Sequence, residues 1–237
     1  MESILEPAAI DKAGVELQII PTADHSHTLF SPAYNETYHS KHGAVQESLH
    51  VFVKYGLLPL LETKVEITIF EMGLGTGLNA MFTLEHSQPA AVQIHYHGLE
   101  KHPIDISVVD RLNYTNNWDD LETKLIFKKL HNLPWNETAE LTPFFNFTKL
   151  KNDIFDFTSP DEQYDLIYHH AFTPVCQPEL WESEILEKFY KMMKKGGVLV
   201  TYCAQGQFKR NLKDAGFLVE SLPGPVGKRE MTRAKKV

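Results

Sequence analysis

The stretch Ile69-Phe70-Glu71-Met72-Gly73-Leu74-Gly75-Thr76-Gly77-Leu78-Asn79 constrains this chain more than any other. A β-branched run over 65–69 leads into an acidic residue and three glycines at alternate positions. Glycines there let the main chain turn tightly and let a ligand come close to it, which describes a nucleotide-binding strand, loop and helix. The third glycine falls one residue early for G-x-G-x-x-G, with Leu78 in its place, and G-x-x-x-x-G-K-[ST] is absent. An acidic residue just before the first glycine suits a cation such as S-adenosylmethionine better than a pyrophosphate. Glu71 is therefore expected to accept from that ligand's ammonium group. A plain glycine turn in an ordinary α/β protein is the competing reading.

The pattern around this loop predicts alternating strands and helices. Residues 15–20 and 25–30 read as a hairpin. Residues 44–58 have helical apolar spacing, with Pro59 just past the end. The first central strand is expected over 65–71 and its helix over 77–87. A second strand over 92–99 ends at Glu100, and Pro103 suits the first turn of the next helix. A helix over 117–131, strands over 145–150 and 164–169, and a helix from Pro178 to Lys194 follow. A strand over 198–203, a helix over 207–215, and strands over 217–222 and 229–234 complete the set. The expected fold class is α/β: a Rossmann-like, mostly parallel seven-stranded sheet with helices on both faces, preceded by an N-terminal β-hairpin and helix. The expected division is an N-terminal extension over 1–60, packed on a catalytic domain over 61–237.

Ligands of such sheets sit beyond the carboxyl ends of the strands. Glu71, Gly73, Glu100, Asp153 and His169-His170 all fall at such ends. Glu100, following the second strand, is placed to accept from both hydroxyls of a ribose. Asp153 is placed to accept from an exocyclic adenine amine, with a turn aspartate as the plain alternative. No run of about 18 apolar residues exists, so no membrane span is expected. Two cysteines, Cys176 and Cys203, make no disulfide framework, and a reducing cytoplasm is the simple expectation. The pairs His39/His42 and His95/His97 lack a third ligand, so no metal is expected. The net charge of −8 hides an asymmetry: residues 185–237 hold 12 Lys/Arg against 4 Asp/Glu. A basic half weakens the objection that an acidic chain would avoid nucleic acid.

Several segments together resemble the MnmC methyltransferase-domain family, which methylates 5-aminomethyl-2-thiouridine at the tRNA wobble position. They are Phe30-Ser31-Pro32, Glu36-Thr37-Tyr38-His39-Ser40, the glycine loop from Glu71 to Asn79, Ala171-Phe172-Thr173-Pro174, Pro178-Glu179-Leu180-Trp181 and Gly227-Lys228-Arg229-Glu230-Met231. The resemblance covers about residues 15–235 and implies a sheet with a reversed final strand. It implies a S-adenosylmethionine site at Glu71, Gly73, Gly75, Thr76, Gly77, Asn79, Glu100 and Asp153. It also implies a reacting centre at His170, Phe172 and Pro174, and a substrate side at Tyr38, His39 and Gln46. Lys209, Arg210, Lys228 and Arg229 are expected to meet tRNA phosphates. The chain resembles the stand-alone methyltransferase form, with no flavin domain; a homo-oligomer is left open.

The chain departs from the resemblance at one place. The family has Asp-Ala-Phe or Asp-Gly-Phe after the fourth strand, and this chain has His170-Ala171-Phe172. The substrate is a primary alkylamine with a pKa of roughly 10, mostly protonated at neutral pH and unable to attack in that form. The site must bind or generate the free amine. A neutral imidazole can accept its hydrogen bonds as a carboxylate does. His170 is expected to replace the aspartate. The competing readings are a small-molecule N-methyltransferase and a catalytically silent S-adenosylmethionine- or RNA-binding module.

Overall fold

The computed structural model describes residues 9–10, 14 and 16–237. Val15, the first residue of the expected opening strand, and residues 1–8 lie outside the described residues. A small antiparallel sheet comes first: β1 (Ala9–Ile10), β2 (Glu16–Pro21), β3 (His27–Ser31) and β4 (Glu36–Thr37), in that order. The expected hairpin is β2–β3, with Ile19 opposite Leu29.

A continuous helical segment follows: α1 (Ala44–Glu47), a π-helical stretch Ser48–Leu57, and α2 (Leu58–Leu61). Pro59 lies inside this segment, in the first turn of α2, and not beyond its end. The switch from π to α spacing there places Pro59 at a turn start, the position where a missing N–H is tolerated. Val51, Phe52, Val53 and Leu57 are buried. Gly56 lets the segment lie close to the main sheet: a Cβ there would stand 2.9 Å from Val200 Cγ2 and 3.2 Å from Tyr168 Cε1.

The main sheet contains β5 (Glu66–Met72), β6 (Gln93–Glu100), β7 (Thr138–Thr142), β8 (Phe145–Lys151), β9 (Tyr164–His169), β10 (Met193–Thr201), β11 (Leu218–Pro223) and β12 (Glu230–Lys235). Its order is β11-β12-β10-β9-β5-β6-β8-β7. The five strands from β10 to β8 run parallel, and β12 reverses against both β10 and β11. The sheet has eight strands, one more than expected. The addition is β7, a short edge strand antiparallel to β8 whose mixed sequence Thr-Ala-Glu-Leu-Thr shows little strand signal.

The helices are α3 (Leu78–Ser87), α4 (Ile106–Val109), α5 (Leu121–Asn132), α6 (Ser183–Met192) and α7 (Gly206–Asp214). Asp105 and Asp120 cap α4 and α5, accepting from Ser107 N and Thr123 N. Strand alternation feeds two cores. Ile67 and Ile69 of β5 and Leu166 and Tyr168 of β9 pack with the π-helical stretch and α3. Phe70, Met72 and Ile167 pack on the other face with Ile185, Leu186 and Phe189 of α6 and Leu212 of α7. That alternation also decides where the side chains at the strand ends point.

Candidate active site

A cavity of about 220 Å³ opens at the carboxyl ends of β5, β6, β8 and β9. Its floor is the glycine loop, Gly73 and Gly75. Gly73 has φ 88°, and a Cβ there would fall on the His170 carbonyl oxygen. Gly75 has φ 50°, and its Cβ would press on the Tyr38 ring at 3.1 Å. Both positions demand glycine for conformation and for space. Gly77 begins α3 in the left-handed region, against His131. The small N-terminal sheet roofs the cavity with Ser31, Ala33, Tyr34 and Tyr38.

Glu100 lines the cavity as expected. Its Oε2 accepts from Gly75 N at 2.9 Å and its Oε1 from His102 N at 2.8 Å. Burial raises its pKa, against the lowering effect of those two bonds. Each oxygen keeps a second lone pair, so the carboxylate can still accept from a diol. Asp153 also lines the cavity, but its Oδ2 is paired with Lys101 Nζ at 2.7 Å. Lys101, which the sequence reading did not single out, therefore sits beside the acceptor expected for an adenine amine.

Glu71 does not line this cavity. It lies on the Ile67–Ile69 side of β5 and is fully buried. Its Oε1 accepts from Asn79 Nδ2 at 2.7 Å and its Oε2 from Tyr96 Oη at 2.7 Å. The carboxylate expected to meet a ligand's ammonium is thus committed inside the protein. Asn79 is also buried, its Oδ1 accepting from Ser48 Oγ. Thr76 is buried and its Oγ1 lies 3.0 Å from His39 Nε2.

His170 is on the cavity wall, 7% exposed. Its Nδ1 is 3.2 Å from Gly73 O, 3.2 Å from Asn79 Nδ2 and 3.6 Å from Glu71 Oε1. Its ring packs 4.6 Å from the His39 ring and 5.2 Å from Phe52. Burial works to lower the His170 pKa, but the Glu71 carboxylate outweighs it and the net direction is up. His39 behaves oppositely: burial and then the neighbouring His170 hold it well below the usual histidine value. His39 is under the cavity and not on its wall.

Phe172 and Tyr38 line the cavity with their rings 5.2 Å apart, edge to face. Tyr34 adds a third ring 4.9 Å from Phe172. The sequence reading did not single out Tyr34. The loop after β9 is fastened to the roof: Thr173 Oγ1 donates to Glu36 Oε2 at 3.0 Å, and Cys176 Sγ to Tyr34 O at 3.4 Å. Pro174 lies outside the cavity, in an adjoining groove with Lys228 and Arg229. Gln46 lines a third, separate depression with Asp24 and Asn113.

Two of the cations expected to meet RNA are engaged within the protein. Lys209 Nζ donates to Glu230 Oε2 at 2.8 Å and Ser221 Oγ at 2.7 Å. Lys228 Nζ is 3.1 Å from the buried Glu47 carboxylate and 3.7 Å from the Tyr202 ring centroid. Arg210 is exposed and contacts Gln207 of its own helix, and Arg229 is exposed. Among the described residues no group of three or more His, Cys, Asp or Glu is arranged to hold a metal, and no helix is long and apolar enough to cross a membrane.

Comparison with known proteins follows this geometry. Residues 121–237 match the family described as S-adenosyl-L-methionine-dependent methyltransferase. The chain superimposes on the crystal structure of MNMC2 from Aquifex aeolicus with a TM-score of 0.71 at 25% identity, over 92% of this chain and 69% of that one. The chain is also 28% identical over 250 residues to the tRNA 5-methylaminomethyl-2-thiouridine biosynthesis bifunctional protein MnmC of Cupriavidus metallidurans, covering 99% of this chain and 35% of that protein. It is 30% identical to the protein of the same name from Pseudoalteromonas atlantica, over 84% of this chain and 30% of that one. The chain spans about a third of the length of these curated relatives.

Proposed function

We propose that this protein is an S-adenosylmethionine-dependent methyltransferase that acts on the amine of 5-aminomethyl-(2-thio)uridine at the tRNA wobble position, giving the 5-methylaminomethyl nucleoside. The observation that carries this reading is the similarity to MnmC along 99% of the chain, which runs through every loop that forms the cavity. The residues present fit S-adenosylmethionine. Gly73 and Gly75 leave space that a Cβ would fill, and Glu100 keeps acceptor capacity toward the cavity. Asp153, once released from Lys101, is an acceptor for an adenine amine. Bound there, the cofactor supplies an electrophilic methyl on a sulfonium.

The protein's own part is positioning and proton management. Phe172, Tyr34 and Tyr38 offer aromatic faces for a uracil ring. His170 accepts a proton from the substrate ammonium. Arg229, in the groove beside Pro174, is the exposed cation best placed for a flanking phosphate. The site of action is the cytoplasm, where tRNA is modified.

Mass spectrometry of tRNA nucleosides tests this directly. A strain lacking the protein is expected to accumulate the 5-aminomethyl nucleoside, and purified protein with labelled S-adenosylmethionine is expected to methylate that tRNA. Unchanged nucleosides in the strain, together with no label on the tRNA, would overturn the proposal. Label appearing on a free amine and not on tRNA would favour a small-molecule enzyme.

A further inference from the structure

The position of Glu71 in the glycine motif points to the cofactor, whereas its contacts point to His170. Its carboxylate is fully buried and bonded to Asn79 and Tyr96, and His170 Nδ1 stands 3.6 Å from its Oε1. Nδ1 faces two oxygen acceptors, Gly73 O and Glu71 Oε1. It faces one donor, Asn79 Nδ2, which gives one of its two N–H groups to Glu71 at 2.7 Å and stands farther from Nδ1, at 3.2 Å. Asn79 cannot turn its amide around, because its Oδ1 would then face the Glu71 carboxylate, which only accepts. Two acceptors, one of them charged, favour a proton on Nδ1. Nε2 is then a lone-pair acceptor, and it is buried with no hydrogen-bond partner. A buried acceptor without a donor is costly and is met where a ligand completes the site.

We infer that Glu71 is a positioning residue that fixes His170 as its Nδ1–H tautomer and so leaves Nε2 to take a proton from the substrate amine. This rests on the reading that an amine is methylated beside His170. The step balances: the substrate ammonium gives one proton to Nε2 and keeps the N–H electron pair as a free amine. The imidazolium formed then faces Glu71, which compensates its charge. The other groups facing His170 are His39 from the loop after β4, Glu47 of α1, Glu100 at the end of β6 and His169 beside it on β9. Of these, His39 and His169 are held neutral by burial.

Nitrogen-15 NMR of the histidine side chains in the full-length protein, saturated with S-adenosylhomocysteine, reads the tautomer without any turnover. The expected result is a proton on Nδ1 and a bare Nε2 in neutral His170, assigned by its loss in His170→Gln. An Nε2–H tautomer would overturn the inference even if Glu71 variants fail to fold. In Glu71→Gln, kcat at saturating cofactor is expected to drop about 10²-fold at pH 7. The acid limb of its pH–rate profile should move to lower pH, because the carboxylate that favours imidazolium is gone. Affinity for S-adenosylhomocysteine, measured by calorimetry, should change less than about threefold. A loss of affinity of about tenfold or more with kcat preserved would make Glu71 a cofactor ligand and overturn the inference. Wild-type protein that shows the expected tautomer but never methylates tRNA would instead overturn the proposed function alone.

Discussion

His169 and His170 are chain neighbours that strand alternation sends to opposite faces of the sheet. His170 reaches the Glu71 side. His169 is fully buried on the other, stacked 4.0 Å from Trp181, with neither ring nitrogen hydrogen-bonded. Burial pushes its pKa down to about 3. A depressed value means the stability that His169 permits is present above the unfolded histidine pKa near 6.5 and is lost as pH falls toward 3. His169→Phe is therefore expected to gain up to about 1 kcal/mol at pH 7 and more at pH 5, read by urea unfolding at both values. Equal effects at both pH values would show that the histidine does not titrate on unfolding. At Gly73 the demand is steric. Gly73→Ala is expected to cost about 1–2 kcal/mol of stability and at least about tenfold in cofactor affinity by calorimetry, since the new methyl meets the His170 carbonyl.

Among elements, those with a sharp local signal were legible and those defined by tertiary context were not. Tyr164–His169 is a strand as the apolar run implies, and the glycine loop and Glu100 stand at strand ends as the α/β pattern requires. The sequence motif also implied that Glu71 faces the ligand. In the structure Glu71 does not line the cavity, because alternation within β5 turns it toward α3, where Asn79 meets it. The π-helical stretch at Ser48–Leu57 has ordinary amphipathic spacing and shows itself only through its packing. Glycine is a weak helix residue by propensity, yet Gly56 in that stretch is what lets the segment meet β9 and β10. Gly56→Leu is expected to destabilise by about 1–3 kcal/mol through overpacking, measured by thermal or urea unfolding. No loss of stability would mean that the helix can move outward freely.

For the whole molecule, the basic C-terminal segment over 185–237 is less available than its composition implies. Lys194, Lys209, Lys228, Arg233 and Lys236 all pair with carboxylates: Asp165, Glu230, Glu47, Glu220 and Glu162. Composition cannot show this, because Asp165, Glu47 and Glu162 come from outside the basic segment and Glu220 and Glu230 are brought to their partners only by the fold. Two variants separate the roles. Lys228→Ala leaves the buried Glu47 without its cation and is expected to lower stability by about 1–3 kcal/mol. Arg229→Ala should leave stability within about 0.5 kcal/mol and reduce the salt slope of tRNA binding by about 1. The reverse pattern in unfolding and salt-titration experiments would assign the RNA contact to Lys228.

The ceiling over the cavity belongs to residues that precede the catalytic sheet by some thirty positions, and Glu36 bolts it to the loop after β9. A fragment trimmed to begin at residue 61 would therefore be an open dish. It would keep the glycine loop and Glu100 but lose Tyr34 and Tyr38, the aromatic side of the cavity.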